Sequence, residues 1–230
     1  MDPRLAAAER EEMVREQIQA RGVRDPRVLE AMRRVPRHRF VPAALAAEAH
    51  ADHPLPIGGG QTISQPYIVA AMAEALELTG VERVLEVGSG SGYMAAVLAE
   101  LAAEVCAMDL EPGLCARAGA ALAALGCANV HLACGDGARG WPERAPFQAI
   151  VLSCAAERIP PDLWDQLDPG GRLILPLGAE HEVQELVLAR KTGEGGVFDR
   201  LMAVRFVPLR PGGRRFGPAP PGAGPLTGPG

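Results

Sequence analysis

Between residues 83 and 152 the chain alternates short apolar runs with longer Ala- and Leu-rich stretches. The runs RVLEV (83–87), EVCAMD (104–109), NVHLAC (129–134) and FQAIVL (147–152) are nearly continuous in apolar character, which predicts strands buried on both faces. Segments of helical composition separate the first three, giving the βαβ rhythm of a parallel sheet. Pro161 opens another helix, and the turn Asp168-Pro169-Gly170-Gly171 ends it. RLILPL, EVQELVLAR and LMAVRFVPL follow, the last two split by KTGEGG, so an antiparallel hairpin closes the sheet. The expected class is α/β, a doubly wound, mostly parallel sheet.

Ahead of this core the pattern is helical. Asp2-Pro3 and Asp25-Pro26 each set a capping acid before a proline suited to a first helical turn, and Gly22 ends the first helix. Leu5, Met13 and Ile18 are the apolar positions that would lay this outer helix on a larger body. HADHPLPIGGGQTISQP (50–66) reads as a shaped loop, because its prolines and triple glycine oppose regular structure. Residues 1–80 therefore form an N-terminal helical addition with a loop, and 81–210 the α/β core. Residues 211–230 hold thirteen Pro or Gly among twenty positions and form an expected disordered tail.

Composition narrows the function. A chain of 230 residues, 48% apolar with net charge -5, suits one globular domain and has the wrong sign for a nucleic-acid binder. No run is long enough for a membrane helix and no signal peptide opens the chain, so a cytoplasmic protein without membrane contact is expected; a monomer is the separate expectation for its assembly. The five cysteines contain no CxxC pair and read as small core residues. His50-Ala51-Asp52-His53 lacks the further ligands a metal would need, so no metal is expected.

The richest segment is VLEVGSGSGY (84–93). A buried strand runs into Gly88-Ser89-Gly90-Ser91-Gly92 and then a helix, a turn that lets backbone approach a ligand closely. Asp109 ends the next strand about twenty residues past Gly90, where an acid commonly accepts from a ribose diol, with Leu110 beside it. Asp136, in Gly135-Asp136-Gly137, occupies the same position after the third strand and could accept from an adenine amino group. Ligands of open parallel sheets bind beyond the carboxyl ends of strands, so these loops converge. Tyr93 falls where a dinucleotide fingerprint needs Gly or Ala, and no P-loop lysine is present. An adenosyl ligand without phosphates fits better, with S-adenosylmethionine the candidate and Glu86 placed to order loop amides or a water near its ammonium.

PLPIGGGQTISQP (54–66), VLEVGSGSGY, GDGARGWPE (135–143), LDPGGRLILPLG (167–178) and VRFVPL (204–209) together resemble the protein-L-isoaspartate O-methyltransferase family. The likeness runs over roughly residues 10–210 in the family's order. It implies a class I, Rossmann-like methyltransferase fold and methyl transfer from S-adenosylmethionine to the free α-carboxylate of L-isoaspartyl residues in damaged proteins and peptides. It assigns Ser64 to the active site, Gln61, Thr62 and Ile63 to the cofactor, and Ile57, Asp52 and Tyr67 to the substrate. Tyr67 stands where many relatives have histidine, and Gly59 replaces a usually bulky residue. These departures keep two alternatives open: a methyltransferase acting on a different carboxyl, and a cofactor-binding module without catalysis.

Overall fold

The computed structural model describes residues 2–180, 182–193 and 195–210. The expected tail at 211–230 lies outside them.

The N-terminal helices start as their caps require. Asp2 accepts from the Arg4 amide at the head of α1 (Pro3–Glu12), and Asp25 accepts from the Arg27 amide at the head of α2 (Pro26–Arg34). The first helix does not run evenly to Gly22. It widens into a π-type turn over Met13–Ile18, tightens to a 3₁₀ turn over Gln19–Arg21, and stops at Gly22, whose φ of 103° suits glycine. The widened turn buries Met13, Val14 and Ile18 together, whereas Leu5, expected on the same face, is exposed.

Residues 50–66 depart from the expected loop. Leu55–Gly58 (β1) and Gln61–Ile63 (β2) pair as a short antiparallel hairpin, with Gly58, Gly59 and Gly60 all at positive φ in its turn. The glycines punctuate a strand pair instead of preventing one. Ser64 and Gln65 lead from it into α3 (Pro66–Ala75).

The main sheet contains β3 (Arg83–Val87), β4 (Glu104–Asp109), β5 (Val130–Cys134), β6 (Phe147–Leu152), β7 (Leu167–Leu177), β8 (Gln184–Thr192) and β9 (Gly195–Val204). Its order is β5-β4-β3-β6-β7-β8-β9. The first five strands in space run parallel, and β8 and β9 add antiparallel at the other edge, as the KTGEGG turn implied. The segment 167–171 is not a free turn. It belongs to β7, with Leu167 paired to Phe147 across an irregular step.

Alternate strand residues feed two cores. Val84, Val105, Ala107, Ala149 and Val151 pack with the N-terminal helices, α3, α4 (Tyr93–Ala99) and α5 (Pro112–Ala124). Leu85, Cys106, Ile150 and Leu152 pack on the opposite face with Leu163 and Trp164 of α6 (Pro161–Gln166). β5 is not buried on both faces. It forms the sheet edge, and its residues are half-buried or exposed. Cys106, Cys115 and Cys154 are core residues as expected, whereas Cys127 is half-buried and Cys134 is exposed.

Candidate active site

The carboxyl ends of β3, β4, β5 and β6 open onto three adjoining cavities. The switch in strand order at β3 leaves a crevice there, because successive crossovers leave β3 toward opposite edges of the sheet.

The glycine turn after β3 is built by hydrogen bonds to its neighbour. The Gly88 and Ser89 amides donate to the Met108 carbonyl at 2.8 and 3.0 Å, and the Gly92 amide donates to the Ser89 carbonyl at 2.7 Å. The Asp109 carboxylate accepts from the Gly90 amide at 2.7 Å and from the Glu111 amide at 2.9 Å. It therefore ties the turn to the loop after β4 while its remaining lone pairs stay available. Gly92 serves packing: at φ 85° a Cβ there would meet the Ala118 Cβ at 3.1 Å. It lets α4 and α5 approach each other and lines none of the three cavities.

The first cavity, about 580 Å³, is lined by Gly88, Asp109, Leu110 and Gly137, with Gln61 from the hairpin and Glu111 across from it. Gly137 must be small, since a Cβ there would come within 2.6 Å of Val87 Cγ1. Asp136 is placed differently from the expected adenine contact. Its carboxylate turns back to accept from the Ala138 amide at 3.1 Å, and it does not line this cavity.

The second cavity lies between Glu86, Ser89 and Gly90 on one side and Thr62, Ile63 and Ser64 on the other. Glu86 falls on the face of β3 where alternation calls for an apolar side chain, and it is fully buried. Its Oε1 accepts from Ser153 Oγ at 3.0 Å, while Oε2 and the nearby Ser89 Oγ have no hydrogen-bond partner among the described residues. Burial pushes the Glu86 carboxyl up to about 8; the nearby Asp109 charge adds to this, and the Ser153 hydrogen bond opposes it. A buried acid with one free oxygen facing a cavity suits a cationic, hydrogen-bond-donating group.

The third cavity is an open cleft of about 930 Å³ between the loop after β2, the start of α3 and residues 203–207 at and just past the end of β9. Thr62, Ser64 and Ser153 line both this cleft and the second cavity. Ser64 thus stands where the two meet.

Asp52, Tyr67 and Ile57, the residues expected to touch substrate, line none of these three cavities. Asp52 pairs with Arg21 at 3.1 Å, and its carbonyl and carboxylate accept from Gln65 Nε2 at 3.0 and 2.8 Å. Tyr67 lies under the Arg21 guanidinium, 3.6 Å from the ring centroid. Both brace the chain beside Ser64 from behind the cleft instead of lining it. Ile57 is buried under the turn, its Cδ1 3.2 Å from a Cβ placed on Gly90, and its carbonyl accepts from Arg117. Hairpin alternation turns it inward, toward a separate cavity beside α5.

Comparison with known proteins places this geometry. Residues 8–213 match the family model described as Protein-L-isoaspartate(D-aspartate) O-methyltransferase (PCMT). A protein-L-isoaspartate O-methyltransferase 2 of Anaeromyxobacter sp. (strain Fw109-5) is 62% identical over 205 residues, 89% of this chain and 84% of the relative. The chain belongs to this family.

Another member of the isoaspartate methyltransferase family, from Rhodopseudomonas palustris (strain HaA2), is 56% identical over 88% of this chain and 83% of its own. A solved protein-L-isoaspartate O-methyltransferase superposes with a TM-score of 0.78 at 28% identity, over 86% of this chain and 65% of that one. A Plasmodium falciparum beta-aspartate methyltransferase, solved in complex with S-adenosyl-L-homocysteine, gives 0.73 at 25% identity over 87% and 98%. The fold is that of class I methyltransferases, with the sheet order described above.

Sequence reasoning did not single out three residues that line these cavities, Ser153, Pro208 and Leu209. Ser153 follows the last residue of β6, and Asp109 is the last residue of β4, so the rule that put weight on Asp109 applies to Ser153 as well. Pro208 and Leu209 line the first cavity because the Ala155 amide donates to Val207 at 2.8 Å and the Leu209 amide donates to Ala155 at 2.7 Å. No local pattern announces that pairing, which joins segments more than fifty residues apart.

Proposed function

We propose that this chain transfers a methyl group from S-adenosylmethionine to the free α-carboxylate of L-isoaspartyl residues in damaged proteins and peptides. The observation that carries the reading is the position of Ser64, shared between the buried cavity that holds Glu86 and the open cleft.

The residues present fit the cofactor. Asp109, Leu110, Gly88 and Gly137, with Gln61, would hold the adenosyl end in the first cavity. Glu86, Ser89 and Gly90, with Thr62 and Ile63, would hold the amino-acid end, where the free Glu86 oxygen answers an ammonium. When bound, the cofactor supplies a methyl carried on a positively charged sulfur.

The chain's own task is then small. A terminal-type α-carboxylate has a reference pKa of roughly 3.5, so it is ionised near neutral pH and needs no general base to attack. Ser64 donates its hydroxyl hydrogen to one carboxylate oxygen and aims the other. Ser153, held by Glu86 at 3.0 Å, positions the same wall of the cleft. Opposite charges neutralise each other as the methyl moves, so a site that excludes water favours the step, and alignment supplies several kcal/mol more. The resulting ester is set up to close on the neighbouring backbone nitrogen to a succinimide, whose hydrolysis returns some normal aspartate.

Protein and peptide substrates follow from this reading, and we further propose a monomer working in the cytoplasm without nucleic acid or membrane. Among the described residues no helix is long and apolar enough to cross a membrane. The deciding assay measures methyl incorporation into an isoaspartyl peptide and its L-aspartyl twin. Strong preference for the isomerised peptide is expected. Equal labelling of both would replace isoaspartyl repair with methylation of some other carboxyl, and no S-adenosylhomocysteine formation with either peptide would leave a binding module.

A further inference from the structure

Two cysteines outside the site already described flank the loop that carries Asp109 and Leu110. Cys115 lies in the first turn of α5 and is buried, whereas Cys134 ends β5 opposite Asp109 in the parallel register and is exposed. Their sulfurs approach consecutive carbonyls of that loop: Cys115 Sγ donates to Asp109 O at 3.4 Å, and Cys134 Sγ donates to Leu110 O at 3.9 Å. Burial first, and then the neighbouring Cys134, holds the Cys115 thiol well above its ordinary range. One sulfur is open to reagents and the other is seated behind it.

We propose that Cys115 and Cys134 form a dithiol site that closes to a disulfide by exchange with a small-molecule disulfide, and that closure weakens ligand binding in the adjoining first cavity. The chemistry runs from the exposed side. Cys134 releases its proton, and its sulfur attacks one sulfur of the small disulfide; the S–S bond breaks and one thiolate leaves. Cys115 then releases its proton and attacks Cys134 Sγ, expelling the second thiolate. Two protein thiols are oxidised, the small disulfide is reduced to two thiols, and the released protons end on them. The raised Cys115 makes the second step the slow one, because only the thiolate attacks.

The link to the cavity is structural. Asp109 and Leu110 line it, and the Asp109 carboxylate fixes both the Gly90 and the Glu111 amides. Closing the disulfide removes the S–H donor from the Asp109 carbonyl and draws the start of α5 against the end of β5, with this loop between them. The dithiol stands independently of the functional reading, whereas the effect on affinity rests on it.

The test incubates the full chain with glutathione disulfide, alkylates the remaining thiols and maps the peptides. Calorimetry with S-adenosylhomocysteine follows on reduced, oxidised and re-reduced protein. We expect a Cys115–Cys134 linked peptide and affinity at least roughly fivefold weaker, the low end of ordinary coupling between sites, restored by dithiothreitol. Cys115→Ser should trap glutathione on Cys134, and Cys134→Ser should leave binding insensitive to glutathione disulfide. Glutathione retained on Cys134 of the native chain, with no linked peptide, would overturn the dithiol. A linked peptide with unchanged affinity would overturn the coupling. Failure of the reduced protein to bind S-adenosylhomocysteine would instead count against the cofactor reading, with the linked peptide still supporting the dithiol.

Discussion

Replacing Glu86 with glutamine separates the cost of a buried acid from its use. In the free protein the carboxyl titrates near 8 instead of its ordinary 4.5, so the folded state holds the proton more tightly than the unfolded chain does. Stability must then fall as pH rises through that window, at about 1.4 kcal/mol per pH unit and by up to about 5 kcal/mol in all. The neutral amide of Glu86→Gln removes that slope, so the variant should melt higher than the parent near pH 8. Ligand binding should move the opposite way. An ammonium facing the free Glu86 oxygen gains a charge-assisted hydrogen bond of roughly 1.5–3 kcal/mol, so the variant should bind S-adenosylhomocysteine roughly ten- to a hundredfold more weakly. Parent affinity should also climb as pH approaches 8, by at most about tenfold per pH unit, since pairing requires the ionised form. Thermal melts and calorimetry from pH 6 to 9 measure both halves. A variant that binds as tightly as the parent, with the same pH slope, would remove Glu86 from any contact with the ligand's charge.

Asp109→Ala deletes the bonds to Gly90 and Glu111 and should weaken S-adenosylhomocysteine binding by roughly ten- to a hundredfold; unchanged affinity in calorimetry would mean the turn holds its shape without it. Ser64→Ala should lower kcat toward an isoaspartyl peptide while cofactor affinity stays close to the parent's, and the reverse pattern would make the cofactor, instead of the substrate carboxylate, the partner of Ser64. Gly137→Ala sets a methyl 2.6 Å from Val87 Cγ1 and should cost about 1–3 kcal/mol in urea unfolding, with weaker cofactor binding; a neutral result would show that Val87 yields freely. His38 and His50 are held below the ordinary histidine range, chiefly by burial, so the stability they contribute is present above pH 6.5 and is lost as pH falls below it. Thermal melts of the parent between pH 7 and 5 should show that loss and His50→Gln should blunt it; identical slopes would assign the acid sensitivity to other groups.

The local order of this protein was written in its sequence. Asp-Pro caps, apolar runs and glycine turns act over a few residues, so the strands from Arg83 to Leu152, the start of each N-terminal helix and the turn at Gly88–Gly92 could be read without the fold. The rule that ligands gather at strand ends then brought Glu86, Asp109 and Gly137 to one edge. Tertiary structure decided what those rules leave free. Glycine tolerance could not show that residues 55–63 form a hairpin, because the same glycines serve loops and turns equally. The burial of Ile57, the turn of Asp136 toward Ala138 and the use of Asp52 and Tyr67 as braces depend on neighbours distant in the chain. The same holds for the wall made by Pro208 and Leu209, which exists because Ala155 offers its amide and carbonyl to a segment that lies beyond the last strand of the sheet and more than fifty residues further along the chain.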